Sequence, residues 1–173
     1  MLEAHRPVDA REQVALLAIL AFVRSHGECF ERSLLAGHVT ASSWITSEDG
    51  LSVVLLRHVK LDRWLQPGGH ADGDSDVARV ALREAREETA LRSLRIVDRK
   101  VFDVDVHAIP ARGAEPAHLH YDVRFLFHAD RTERPVPSSE AHEVAWLSLD
   151  DASGLAPEES IWRMIHKTCG GFG

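Results

Sequence analysis

Residues 64–91, WLQPGGHADGDSDVARVALREAREETAL, constrain the fold more than any other stretch. A short extended piece, Trp64-Leu65-Gln66, is broken by Pro67-Gly68-Gly69, and a polar loop follows over residues 70–74. From Ser75 or Asp76 to Thr89 the pattern predicts a helix, with Val77, Val80, Ala81 and Ala85 as its apolar stripe. Ser75 can cap the first amides and Asp76 suits the positive helix start. Glu84, Glu87 and Glu88 are spaced by three and four residues, so they fall within an arc of about 100° on one helix face. Like charges so placed repel. Arg83 lies one turn before Glu87 and can pair with it, but one arginine does not balance three carboxylates. The natural counterion is a hard divalent cation, Mg²⁺ or Mn²⁺, which takes carboxylate oxygens and shares substrate phosphates. Gly68 and Gly69 present no Cβ, so backbone can approach a ligand there, and a carbonyl can complete a metal shell.

Composition narrows the rest. The chain has 173 residues, 45% of them apolar, which suits one folded domain and excludes a disordered chain. A net charge of -7 argues against a nucleic-acid polymer as partner. It leaves room for a small anion, above all one reached through a metal. The two cysteines, Cys29 and Cys169, make no disulfide framework and suit a reducing, cytoplasmic compartment. The longest apolar run, residues 14–23, is about half a membrane span and lacks a secretory signal's flanks, so a buried helix is expected and no membrane partner.

Along the chain, residues 9–26 read as a helix with Leu16, Leu17, Ile19, Leu20 and Val23 on its apolar stripe. Residues 38–46 and 51–57 read as strands joined at Asp49-Gly50, a hairpin signal. Residues 94–109 should hold one or two strands, 118–128 one, and 144–147 a short one. Residues 110–116 and 130–139 read as loops. Residues 157–168 read as a last helix, with Pro157 in its first turn, and 170–173 as a frayed tail. His118 and His120 could face one side of their strand as metal ligands, although ordinary strand histidines are the commoner case. The order of elements fits a mixed α/β layer structure.

The stretch from Gly69 to Leu91 resembles the Nudix box: Gly, five residues, Glu, seven residues, then Arg-Glu-U-x-Glu-Glu-x-Gly-U, where U is bulky and apolar. Arg83-Glu84, Glu87 and Glu88 match its core, Ala85 and Leu91 take the U positions, and two positions depart. Ser75 stands where the first Glu belongs, and Ala90 where the final Gly belongs. A left-handed helix end would cost that alanine roughly 1 kcal/mol. The resemblance extends over roughly residues 36–168. It implies an α/β/α sandwich around a mixed sheet for residues 36–173, with residues 1–35 as an added helical extension. It also implies hydrolysis of a nucleoside diphosphate linked to another group. Glu87 and Glu88 would bind Mg²⁺ with the Gly68 carbonyl, Glu84 would be a ligand or the base that activates water, and Arg83 would hold the glutamates in register. A nucleotide- or protein-binding domain without turnover is the alternative, favoured by Ser75.

Other candidates lie outside the box. Glu140, Glu143 and Asp122 could each add an acid. Arg57, Lys60 and Arg63 flank the approach to the box and could meet phosphates, as could Gly69 and His70. The resemblance implies a small-molecule substrate such as a nucleoside triphosphate, a nucleotide sugar or a dinucleotide, and the sequence does not choose among them. Oligomeric state is equally open, a homodimer included.

Overall fold

The computed structural model describes residues 1–113 and 116–170. Part of the expected 110–116 loop and all but Gly170 of the expected tail lie outside that range. The elements are α1 (Ala10–Ser25), β1 (Gly37–Thr46), β2 (Ser52–His58), β3 (Trp64–Leu65), β4 (Gly68–His70), α2 (Val77–Thr89), β5 (Arg95–Ile96), β6 (Asp103–Ile109), β7 (His118–His128), β8 (Ala141–Ser148), α3 (Leu149–Leu155) and α4 (Glu159–Cys169). The strands run β3-β2-β1-β7-β5 in hydrogen-bonded order, with β4 on β1, β6 on β7 and β8 on β2. The class is α/β. Among the described residues no helix is long and apolar enough to cross a membrane.

Contacts divide the chain into two compact units, each built from three segments. The first comprises residues 1–42, 69–81 and 99–125. In it β6 and β7 pair antiparallel, from Asp103 opposite Arg124 to Ile109 opposite His118. Helix α1 packs on β6. It starts where the Asp9 side chain accepts the Glu12 N–H. Its buried face is Glu12, Ala15, Leu16, Ile19 and Phe22, the spacing of one helical stripe. Leu17, expected on that stripe, is exposed. The run 14–23 is apolar all round, so hydropathy alone does not say which side meets the sheet. Phe22 stacks on Tyr121, with ring centroids 3.9 Å apart. The buried Glu12 accepts from His5 Nε2 at 2.7 Å and from the Val8 N–H at 2.8 Å, which ties the chain start to the helix.

The opposite face of β7 is polar and buried. Arg124 donates to Asp122 at 2.7 Å and to Asp103 at 3.1 Å, and it reaches Asp105 at 3.4 Å. Thr40 and Ser42 of β1 donate to Asp122 as well. Burial alone would lower the Arg124 pKa, but Asp122, Asp103 and Asp105 outweigh it and hold it above its ordinary value. Asp122, a candidate site acid in the sequence, is therefore committed to this closed network. The Asp-x-Arg spacing on one strand face was the available signal.

The second unit comprises residues 43–68, 82–98 and 126–173. Here β2 pairs antiparallel with β1, β3 and β8. Val53, Val54, Leu55 and Leu56 are all buried, as expected of a strand covered on both faces. The β1–β2 turn uses Gly50 at φ +70°, a conformation that favours glycine. Helix α3 packs on β8 and β2. The sequence pattern does not reveal it, because Asp150, Asp151 and Gly154 dilute its apolar spacing. Helix α4 begins at Glu159, with Pro157 just outside rather than within its first turn.

Helix α2 ends as the sequence suggested. Ala90 sits at φ +55°, in the left-handed region, and its N–H closes the last turn on the Arg86 carbonyl at 2.9 Å. Replacing Ala90 with glycine should stabilise the protein by about 0.5–1 kcal/mol, read from urea unfolding. An unchanged or lower stability would contradict the strain assigned here.

Candidate active site

Helix α2 carries the acidic residues because its apolar positions leave them no other face. Ala85 and Thr89 are fully buried, which fixes the helix rotation about its axis. Glu88 is 7% exposed, Glu84 half-buried and Glu87 exposed. An Oε2 of Glu88 accepts the Gly68 N–H at 2.8 Å. Gly68 thus meets the acids through its amide. Arg83 Nη2 pairs with Glu84 Oε1 at 2.9 Å, its neighbour in the chain.

Burial pushes the Glu88 pKa up to about 7. The Gly68 N–H opposes this, and the carboxylates of Glu84, Glu140 and Glu87 add to it. Glu140 is thereby placed among the acids that act on Glu88. It stands just before β8, and its carbonyl accepts the Val59 N–H at 2.9 Å. Glu143 lies opposite Arg57 in the β2–β8 register.

A donor set made of carboxylate oxygens, one of them buried and crowded by like charges, fits a hard divalent cation such as Mg²⁺ or Mn²⁺. The residues available to hold it are Glu84, Glu87, Glu88 and Glu140, with the Gly68 backbone alongside.

The other expected residues stand as follows. Arg57 pairs with Asp62 at 2.7 Å on an exposed surface, and Arg63 reaches Glu158 at 3.4 Å. Lys60 is exposed, and its N–H donates to His58 Nδ1. Gly69 and His70 lie on β4, with the His70 ring among other histidines, 5.0 Å from His38 and 5.1 Å from His120 between centroids.

Ser75, the departure from the box, has an aspartate on either side. Asp74 pairs with Arg79 at 2.8 Å and also accepts the Asp76 N–H. Asp76 pairs with Arg99 at 2.5 Å and accepts the Arg79 N–H at 3.2 Å. Asp76 therefore caps α2, the role read for Ser75. Both neighbouring acids are engaged by arginines, so neither is a ready substitute for the missing glutamate.

The NUDIX domain family matches residues 36–166. The chain belongs to the Nudix family. A curated relative, the CMP-5'-(N-acetyl-N-hydroxy-3-aminopropyl)phosphonate hydrolase of Streptomyces rubellomurinus, is 28% identical over 134 residues, 75% of this chain. This Nudix chain spans 60% of that relative's length. A C. elegans Ap4A hydrolase complex superposes with a TM-score of 0.62 at 21% identity, covering 76% of this chain and 95% of the other. The E. coli dihydroneopterin triphosphate pyrophosphohydrolase does so at 0.60 and 19% identity, covering 75% and 92%. These likenesses establish the Nudix fold.

Proposed function

We propose that the protein is a divalent-metal-dependent hydrolase of nucleoside diphosphate derivatives, cytoplasmic in location. The observation that carries this reading is Glu88, a carboxyl buried beside Glu84, Glu87 and Glu140 with its pKa raised to about 7. Such an arrangement costs stability and is retained where a cation or a proton has to be handled. Mg²⁺ or Mn²⁺ bound there would neutralise phosphate charge and acidify a bound water.

The chain's own residues do the rest. Glu84, fixed by Arg83, and Glu88, fixed by the Gly68 N–H, present oxygens from two points of one helix face. Glu84 or Glu88 takes the proton of the attacking water, and a carboxyl titrating near neutrality suits that task. Glu87 is exposed and open to solvent-borne ligands. Arg57 and Lys60 supply positive charge toward phosphates. The exposed Arg57–Asp62 pair is weak enough to be exchanged for a phosphate at little cost.

Substrate choice is guided by the relatives, which are named for a CMP-linked phosphonate, Ap4A and dihydroneopterin triphosphate. A panel should therefore contain a CMP-linked compound, Ap4A, a nucleoside triphosphate and a nucleotide sugar. Each is incubated with Mg²⁺, Mn²⁺ or EDTA, and phosphate is measured after phosphatase coupling. Metal-dependent release from any member is the expected result. Thermal stabilisation by a nucleotide with no release would instead favour a binding domain, the reading that Ser75 and the arginine-bound Asp74 and Asp76 support.

A further inference from the structure

The first unit gathers five histidines from four strands. His38 lies on β1, His70 on β4, His107 on β6, and His118 and His120 on β7. Period-two alternation puts His118 and His120 on the face of β7 that also carries Asp122 and Arg124. His107 stands directly opposite His120 in the β6–β7 register. Ring centroids of His38, His70, His118 and His120 lie 4.8–5.1 Å apart in the pairs that touch.

The two halves of this polar face differ. Arg124, its three aspartates, Thr40 and Ser42 satisfy one another. In the histidine half, His118 bonds to the Pro116 carbonyl and to His120, and His107 pairs with Asp105 at 3.4 Å, but His38 bonds to none of them. His38 is 1% exposed, and neither of its ring nitrogens has a hydrogen-bond partner. An imidazole buried in that way costs free energy unless something binds it. We propose that His38, His118 and His120 bind a divalent transition ion of the zinc class, with His70 adjacent as a further imidazole.

Three ring nitrogens of His38, His118 and His120 lie within 4.8 Å of one another. His118 Nε2 and His120 Nε2 are 3.2 Å apart. Two nitrogens on one tetrahedral zinc stand roughly 3.3 Å apart, given ligand bonds near 2.0–2.1 Å. His118 Nδ1 lies 2.9 Å from the Pro116 carbonyl. A carbonyl only accepts, so in the neutral ring Nδ1 carries the hydrogen and Nε2 turns its lone pair toward the cluster. Metal-bound histidines are held in this way by an outer carbonyl. Imidazole nitrogens suit Zn²⁺ and its neighbours and are poor partners for Mg²⁺, so the two donor sets sort their metals by chemistry.

The test uses the full chain stripped with EDTA and then given Zn²⁺ alone. One equivalent should bind by equilibrium dialysis, and X-ray absorption should show at least three nitrogen neighbours at about 2.0 Å. The double variant His118→Gln, His120→Gln should lose at least about 100-fold in Zn²⁺ affinity, while Glu87→Gln keeps it. Should the double variant fail to fold, the absorption shell of the wild-type protein still decides. A shell of oxygens only, absence of Zn²⁺ uptake, or uptake lost in Glu87→Gln but kept in the histidine variant would overturn the site. None of these outcomes depends on whether the carboxylate site hydrolyses anything.

Discussion

Glu88→Gln is expected to lower turnover by at least about 100-fold while making the metal-free protein more stable. The opposite signs come from one cause. In the folded chain Glu88 holds its proton more tightly than an ordinary carboxyl, with a pKa near 7 against 4.5. Stability from this group is fully present below pH 4.5 and is lost as pH rises to about 7, because the folded state must then carry a buried charge beside three others. Glutamine keeps the shape and can still accept the Gly68 N–H, but it never ionises. At pH 8 without metal, the variant should gain on the order of 3 kcal/mol, and its melting temperature should vary less between pH 5 and 8 than that of the wild type. Thermal melts across that range, paired with turnover in Mg²⁺, check both halves. Near wild-type turnover in the variant would sink the assignment of Glu88. Metal binding needs the ionised carboxylate, so Mg²⁺ affinity should also weaken below about pH 7, at roughly tenfold per unit.

The second large effect is on the fold. Arg124→Met should destabilise the protein by about 3–5 kcal/mol, because it leaves charges buried without a counterion. Asp103 and Asp122 are almost wholly buried, and Asp122 would keep only the Thr40 and Ser42 hydroxyls. Against a typical total of about 5–15 kcal/mol, such a loss should also reduce soluble yield. Arg124→Lys keeps the charge but not the fork that reaches three carboxylates, so an intermediate loss is expected. Urea unfolding of the three proteins gives the ordering. Equal stability for all three would show that the aspartates are accommodated by other means.

Much of this organisation is legible in the residues. The bounds of β7 coincide with the expected 118–128, because Leu119, Tyr121, Val123, Phe125 and Phe127 alternate with polar residues over most of that run. Helix α2 is legible from its apolar stripe, and the left-handed end at Ala90 from the family pattern. Residues 94–109 do hold two strands. Short elements are less legible. Strand β4 is three residues with two glycines, and only its pairing with β1 makes it a strand. The acids on α2 could be read together because a helix brings near neighbours into one face. The histidines could not, since His38, His70 and His107 meet His118 and His120 only through strand pairing, and period two flags just the last pair. Glu140 was one of three acids named beside the box. What separates it from Asp122 is an arginine, which the sequence shows but whose partners it does not.

Uptake of Mn²⁺ by the carboxylates is the most direct test of the proposed function. Free Mn²⁺ can be followed by electron paramagnetic resonance as it is titrated into the EDTA-stripped chain and into the double variant Glu87→Gln, Glu88→Gln. The wild-type chain should take up at least one Mn²⁺, and the variant should lose that uptake together with turnover. Mn²⁺ uptake and turnover both unchanged in the double variant would contradict a metal site on this face of α2.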